Sequence, residues 1–241
     1  MILSEDKTQL LTIEAKDIDA GGTLRVPEGV THIGYEAIKE DKQRLKTVIC
    51  PSTLEEIGIK AFAGCSHLTS FLLKEPEMLQ RIMSNAFDGC KKLRAFQFEK
   101  TASLNLIGTS AFRETGLTHI DFGSYGPSHI QANAFSYCKN SMWANLGTRL
   151  EYLGDFALSN NDLLTKIEIP SENMRIIENC VFSNCPRLEV FSCYSYPQNI
   201  MHKSFDGVNF QKLKTKKHSY FLPEISTEII QMFLKEGNGE E

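Results

Sequence analysis

The stretch that decides the fold runs from Ile57 to Leu68 and reads Ile-Gly-Ile-Lys-Ala-Phe-Ala-Gly-Cys-Ser-His-Leu. A similar stretch, Ile82 to Leu93, starts 25 residues later. The small residue followed by a large apolar one recurs along most of the chain at intervals of 23–25 residues. The eight copies are Ala37-Ile38, Ala61-Phe62, Ala86-Phe87, Ala111-Phe112, Ala134-Phe135, Ala157-Leu158, Val181-Phe182 and Ser204-Phe205. Such self-similarity indicates a repeat architecture.

Two further apolar elements recur in each copy. An anchor stands four residues before the small residue, at Ile33, Ile57, Ile82, Ile107, Ile130, Leu153, Ile177 and Ile200. A segment of the form Leu-x-x-apolar-x-apolar follows the aromatic residue, at Leu68–Leu73, Leu93–Phe98, Leu117–Phe122, Leu164–Ile169 and Leu188–Cys193. This alternation predicts a strand. The Ala-Phe step is too short for an independent helix and predicts one or two helical turns packed across the core.

One copy cannot bury its own apolar face, so the copies must stack with their aromatic residues in a continuous ladder. The pattern therefore predicts an α/β repeat solenoid of about eight coils of 23–25 residues. Two short strands near Leu10–Ile13 and Thr23–Pro27 predict an N-terminal cap over residues 1–30.

Composition excludes several classes of protein. The chain has 241 residues, of which 41% are hydrophobic and 23% charged, which is typical of a globular protein. A formal charge of −4 does not favour nucleic-acid binding, and no apolar run is long enough to span a bilayer. Residues 1–7 lack the pattern of a signal peptide. We expect a protein that is cytoplasmic or secreted without an N-terminal leader, or surface-located if a leader was removed.

Four of the seven cysteines stand three residues after the repeat's aromatic position, at Cys65, Cys90, Cys138 and Cys185. This regular placement predicts a small buried side chain. A disulfide or zinc framework would need paired spacings that the sequence does not have.

The repeat Leu-x-x-Ile-Gly-x-x-Ala-Phe-x-x-Cys-x-x-Leu-x-x-Ile-x-Leu-Pro resembles the BspA-type leucine-rich repeat over about residues 30–210. Gly34, Gly58, Gly108 and Gly154 match its glycine, and Pro51 and Pro170 match its closing proline. The resemblance implies a right-handed leucine-rich-repeat superhelix with short strands on the concave face and short helical turns elsewhere. It also implies protein binding or adhesion, as in bacterial surface, secreted and host-directed proteins, and it supplies no catalytic residues.

The chain departs from this pattern in several places. Met83, Gln131, Glu178 and Met201 replace the glycine, so a positive φ is not required there in every coil. The fifth strand is degenerate, since Ser141 stands where leucine is expected. The eighth segment, Gln211–Lys216, has lost most apolar positions. We predict a solenoid over 31–216, then a C-terminal capping helix and an acidic tail over 217–241; the helix could instead bind a partner's groove.

We find no catalytic motif, such as a P-loop, a His-Glu-x-x-His sequence or a nucleophile elbow, and the six histidines have no metal-ligand spacing. The sequence predicts no enzyme, no metal and no cofactor. Candidate binding residues are instead those that the strand alternation turns outward. From the middle of the array we select Gln97, His119, Asp121, Trp143, Asn145, Lys166 and Glu168.

Trp143, the only tryptophan, is the leading candidate because exposed aromatic residues beside charged groups often carry binding energy. A one-residue register slip in its degenerate strand would place it in the core instead. The leading hypothesis is a monomeric, non-enzymatic module that binds another protein through its concave strand face. The alternatives are a translocated bacterial effector whose repeats select a host protein, or a fragment of a surface adhesin.

Overall fold

Each repeat forms one coil of a β-solenoid in the computed structural model, which describes residues 1–195, 199–201, 203–209 and 214–215. The solenoid has about eight coils. We number them by the first residue of the strand that contains the anchor: His32, Glu56, Arg81, Leu106, His129, Tyr152, Ile176 and Asn199 begin coils 1 to 8.

The anchors form a ten-stranded sheet, here called sheet A. Its strands, in spatial order, are β1 (Ile2–Leu3), β2 (Gln9–Thr12), β4 (His32–Ile33), β6 (Glu56–Ile57), β8 (Arg81–Ile82), β9 (Leu106–Ile107), β11 (His129–Ile130), β13 (Tyr152–Leu153), β15 (Ile176–Ile177) and β17 (Asn199–Ile200). Neighbours are parallel except for β1 and β2, which pair antiparallel. The sequence shows the anchors only as apolar positions, because a strand of two residues is too short to have a recognisable alternating pattern.

The predicted Leu-x-x-apolar-x-apolar strands form the other face, which is divided into two parallel sheets. Sheet C consists of β3 (Thr23–Arg25), β5 (Thr47–Ile49) and β7 (Ser70–Leu72). Sheet B consists of β10 (Ile120–Asp121), β12 (Trp143–Asn145), β14 (Lys166–Ile169), β16 (Val190–Cys193) and β18 (Lys214–Thr215).

The division lies at coil 3, where the strand predicted over Leu93–Phe98 does not form. Phe96 and Phe98 both point into the core, with ring centroids 4.7 Å apart, and Phe98 starts a 3-10 helix that ends at Lys100. Two large rings at adjacent inward positions leave little room for a regular strand. In contrast, the segment that looked degenerate, Trp143–Asn145, pairs with both of its neighbours.

The expected helical turns, and with them the α/β class, are not found: no α-helix occurs in the described part of the chain. Its helical content consists of three short 3-10 helices, Ala15–Asp17, Pro76–Met78 and Phe98–Lys100. Each Ala-Phe step instead makes tight turns whose alternate N–H groups bond to the next coil, as Phe62 N–H does to Ala86 O at 2.8 Å. Those N–H groups are then unavailable for a helix.

Two residues in most coils have positive φ, between +45° and +76°. One precedes the small residue, and the other stands two positions after the aromatic residue. The first set is Glu36, Lys60, Asn85, Ser110, Asn133, Phe156, Cys180 and Lys203, and the second is Gly64, Gly89, Glu114, Tyr137, Asn160, Asn184 and Gly207. The repeat's glycine after the anchor, such as Gly58, is not among them. Left-handed turns therefore close the coil at other positions than this glycine.

The predicted aromatic ladder forms in coils 2 to 5 but is not continuous along the whole solenoid. Phe62, Phe87, Phe112 and Phe135 are fully buried and stack with ring centroids 5.1–5.6 Å apart. Leu158 interrupts the ladder in coil 6. The four repeat cysteines are buried beside it, as predicted.

The predicted capping helix and tail lie outside the described residues, as does most of the predicted eighth segment, of which Lys214–Thr215 is β18. The domain boundaries at residues 30 and 216 stay predictions. Within the described ranges, no helix is long and apolar enough to cross a membrane.

Candidate interaction surface

The outer face of sheet B brings six of the seven predicted residues together. Alternation in β12 and β14 turns Ala144 and Ile167 into the core, and both are fully buried. The register then aligns two outward rows across adjacent strands. The first row is His119, Trp143, Lys166 and Val190, and the second is Asp121, Asn145, Glu168 and Ser192. The register slip that would bury Trp143 does not occur.

Trp143 and His119 form a stacked pair at the centre of this face. Their ring centroids are 5.5 Å apart and their planes differ by 10°. Both side chains are half-buried, so each ring keeps surface that a partner could cover. Thr118 Oγ1 lies 3.1 Å from His119 Nδ1 and orients the imidazole. The stack is therefore a preorganised aromatic platform.

Lys166 and Glu168 lie on the same face of β14 and form an ion pair, with 2.9 Å between Nζ and Oε1. Both side chains are partly exposed, so solvent screens the pair and it adds little to stability. The lysine charge is thus partly neutralised beside Trp143.

Asp121 and Asn145 tie together the turns that follow β10 and β12. Asp121 Oδ1 accepts hydrogen bonds from Gly123 N–H at 2.9 Å and from Asn145 Nδ2 at 3.0 Å. Asn145 Oδ1 accepts one from Gly147 N–H at 3.2 Å. Both glycines have positive φ. These two predicted binding residues therefore also have a structural role.

Gln97 lies on coil 3, which contributes no strand to sheet B, but it lines a cleft together with His119 and Asp121. Its Oε1 accepts a hydrogen bond from Leu73 N–H at 3.1 Å. In neighbouring coils the equivalent N–H bonds to a main-chain carbonyl, as Cys50 N–H does to Leu72 O. The Gln97 side chain thus replaces part of the missing strand.

Ser192 is aligned with the outward residue Glu168, but its side chain is buried, with 1% exposed. Its Oγ has no hydrogen-bond partner among the described residues. The exposed outer face therefore ends at Glu168 and Val190.

Two clefts adjoin the platform. The first has a volume of about 450 Å³ and the second about 670 Å³. The first is lined by Thr69, Ser70, Phe71, Leu72, Ala95, Phe96, Gln97, Glu99, His119 and Asp121. The second is lined by Asp121, Gly123, Ser124, Asn145, Thr148, Glu168, Pro170, Glu172, Asn173 and Tyr194.

The predicted binding residues did not include Glu99, Glu172, Asn173 or Tyr194, because the prediction rested on strand positions alone. These residues follow the strands in the connecting segments, whose lengths vary from coil to coil. The sequence signal that could have identified these residues is a polar residue two to five positions after the two outward residues of a strand.

In the described part of the chain, no group of three His, Cys, Asp or Glu residues could hold a metal ion. Burial raises the pKa of the Cys65 and Cys185 thiols to about 12 and that of Cys138 to about 11, so these thiols stay protonated.

The chain resembles solved structures of bacterial proteins. A leucine-rich repeat protein from Bacteroides ovatus ATCC 8483 superposes with a TM-score of 0.55 at 21% identity over 81% of this chain and 45% of that one. This chain thus spans less than half the length of that relative. A leucine-rich repeat protein from T. pallidum gives a TM-score of 0.55 at 19% identity over 96% of this chain and 91% of that one. At these identities the likeness shows the fold alone.

A search of curated proteins gives no match to the chain. The family model described as "BspA type Leucine rich repeat region (6 copies)" matches residues 22–141 and 107–226, which together cover most of the sequence. Proteins of this family are in general non-enzymatic repeat scaffolds that bind proteins or associate with surfaces. The chain belongs to the BspA-type leucine-rich repeat family.

Proposed function

We propose that this protein is a non-enzymatic interaction module that binds another protein through the outer face of sheet B. The observation that carries the proposal is the stacked, half-buried pair of His119 and Trp143, of which His119 lines the first cleft. A rigid aromatic platform loses little conformational entropy on binding. Tryptophan in a partly enclosed position is the residue type most enriched among strong contributors to binding.

The rigidity of the platform comes from the fold. Trp143 lies on β12, which is paired with β10 on one side and with β14 on the other. The next residue, Ala144, is fully buried in the core. The turns beside it are fixed by the Asp121–Asn145 hydrogen bond. We expect the partner to meet a preformed surface rather than to order a loop.

The test is affinity capture, followed by measurement of Kd for the identified partner. The double variant His119→Ala and Trp143→Ala should weaken the complex by at least about tenfold, since aromatic residues at interface centres contribute about 2 kcal/mol or more. A matched control is available on sheet A, where His129 and Tyr152 stack with centroids 5.8 Å apart. Their double alanine variant should leave Kd unchanged. Equal loss in both variants, or loss in the control alone, would contradict the proposal.

The translocated effector stays a second prediction, which rests on a C-terminal tail outside the described residues. Removal of residues 237–241 should then abolish delivery into host cells while leaving the fold intact. Normal delivery of the truncated chain would count against this role.

A further inference from the structure

The main-chain ladder on the sheet B and sheet C face is interrupted at one coil. In coils 1, 2, 4, 5, 6 and 7, an N–H group just before the strand bonds to the equivalent carbonyl of the preceding coil. These bonds are Lys46→Gly22, Thr69→Lys46, Thr118→Arg94, Met142→Thr118, Thr165→Met142 and Glu189→Thr165, at 2.8–3.1 Å. The corresponding bond from Arg94 to Thr69 is missing in this part of the described chain.

The interruption leaves several main-chain groups without a partner. Among the described residues, no group accepts a hydrogen bond from the N–H of Arg94, Ala95 or Gln97. Ala95 is exposed, and both Ala95 and Gln97 line the cleft of about 450 Å³. A main-chain N–H group without a partner can donate a hydrogen bond to a carbonyl group of a bound peptide.

Asp121 lines this cleft and also the cleft of about 670 Å³, so the two adjoin at this residue, and we call them together the trough. Four carboxylates line the trough, at Glu99, Asp121, Glu168 and Glu172. None of the described residues that line it is Lys or Arg. The lining of the trough is therefore acidic, although Glu168 is paired with Lys166 at its edge.

These carboxylates retain free acceptor capacity. Asp121 uses Oδ1 for both of its hydrogen bonds, and Glu168 uses Oε1 for Lys166. The described part of the chain provides no hydrogen bond to Asp121 Oδ2, Glu168 Oε2, or the carboxylates of Glu99 and Glu172. The exposed Leu72 and the ring of Tyr194 add apolar surface at the two ends.

We propose that the trough binds an extended peptide segment of a partner protein that carries several Lys or Arg side chains. This inference rests on the proposed function and specifies the chemistry of the partner. Leu72 lies on coil 2 and Tyr194 on coil 7, so the trough crosses five coil spacings, or roughly 24 Å at about 4.8 Å each. An extended segment of about seven residues covers that length.

Trp143 provides the readout, because it is the only tryptophan and stacks on His119, which lines the first cleft. The probe is the acetylated and amidated heptapeptide Lys-Ala-Lys-Ala-Lys-Ala-Lys, titrated at low ionic strength. We expect a saturable change in Trp143 fluorescence, with Kd confirmed by calorimetry. We also expect shifts of the Ala95 and Gln97 amide signals in NMR spectra. The heptapeptide with Glu in place of Lys should not bind.

The variant Glu99→Gln, Glu168→Gln and Glu172→Gln should raise Kd for the lysine peptide by about tenfold, as expected from three solvent-exposed charge pairs. The control Glu5→Gln, Glu40→Gln and Glu77→Gln changes the net charge equally at exposed positions outside the trough and should leave Kd unchanged. Equal binding by the two triple variants, or tighter binding of the glutamate peptide, would overturn the inference.

The inference can fail while the proposed function stands. In that case the partner protein loses affinity for the His119→Ala and Trp143→Ala variant, but binds normally to the trough variant. If neither variant affects the partner, the proposed function fails. A lysine peptide that shifts the Trp143 signal but not those of Ala95 and Gln97 would contradict the main-chain part of the inference.

Discussion

The thiol of Cys90 donates a hydrogen bond to the main-chain oxygen of Phe62, which lies one coil earlier, at 3.2 Å. The same bond joins Cys138 to Phe112 at 3.1 Å, and Asn161 makes its counterpart to Phe135 O at 3.1 Å. The position is therefore a buried donor position rather than an apolar one. Cysteine suits it because the thiol is small and loses little on desolvation.

Native thiols should be unreactive with one exception. Six of the seven cysteines are buried, and Cys180 alone is half-exposed. At pH 8 we expect Ellman's reagent to modify one thiol quickly and the other six only as the protein unfolds. Counting released thionitrobenzoate with and without denaturant checks this. The variant Cys180→Ser should abolish the fast phase, and rapid labelling that persists in this variant would contradict the buried positions of the others.

Stability should fall at alkaline pH. Burial raises the pKa of Cys65, Cys185 and Cys193 from 9.0 to about 12 and that of Cys138 to about 11. The thiols of the unfolded chain therefore lose their protons at a lower pH than the same thiols in the folded protein. For this reason the free energy of unfolding should decrease as pH rises from 9 towards 12. Urea titrations between pH 8 and 11 measure the slope.

Threonine is a suitable replacement for cysteine in the matched control, because Thr115 occupies the position of the repeat cysteine in coil 4. Replacing Cys65, Cys138 and Cys185 by threonine should flatten the alkaline slope, while lysine and tyrosine titrations remain the same in both proteins. Identical slopes would show that the buried thiols do not contribute.

Gly58→Ala should destabilise the protein by about 1–3 kcal/mol, the usual range for overpacking. An added Cβ would lie 2.3 Å from Ile33 O, and main-chain atoms of Gly34 would also have to move. Gly21→Ala is the control, because its Cβ would meet only the Asp19 carboxylate at 3.2 Å. Thermal unfolding of both variants distinguishes close approach from a general effect of removing glycine. Equal melting temperatures would refute the argument.

Phe156→Asn should stabilise the protein by about 0.5–1 kcal/mol. Phe156 has a φ of +58° and is 41% exposed, so it has an unfavourable main-chain conformation and only partial burial. Asparagine adopts this conformation more readily and occupies the equivalent position in coil 5 as Asn133, with a φ of +57°. Asn133→Phe should have the opposite effect. Denaturant unfolding that shows both changes in the same direction would be inconsistent with this explanation.

The repeat spacing was sufficient to predict the stacked coils, because a side chain such as Phe87 can be buried only if a neighbouring coil covers it. The spacing could not show how the turns are built. The sequence Ala61-Phe62 is compatible with a helical turn. A helix does not form there because Phe62 N–H donates its hydrogen bond to Ala86 O in the next coil. That bond is non-local and leaves no local pattern.

The candidate site could also be predicted only in part. Alternation placed Trp143 and Lys166 on one face, and the register aligns them. It could not show that Phe96 and Phe98 would crowd the core and interrupt the strand, since both occupy positions that the pattern assigns to apolar residues. The cleft beside Ala95 lies where this strand is interrupted.

The interrupted ladder also has a mechanical consequence. Sheet A runs without a gap past coil 3, while the face formed by sheets B and C has no strand there. A change of curvature about this coil would therefore break no strand pairing on the divided face, whereas the same change at coil 6 would strain the paired strands β12, β14 and β16. We therefore expect bending of the described solenoid to be easier at coil 3 than at coil 6, and a ligand that bridges coil 3 to oppose it.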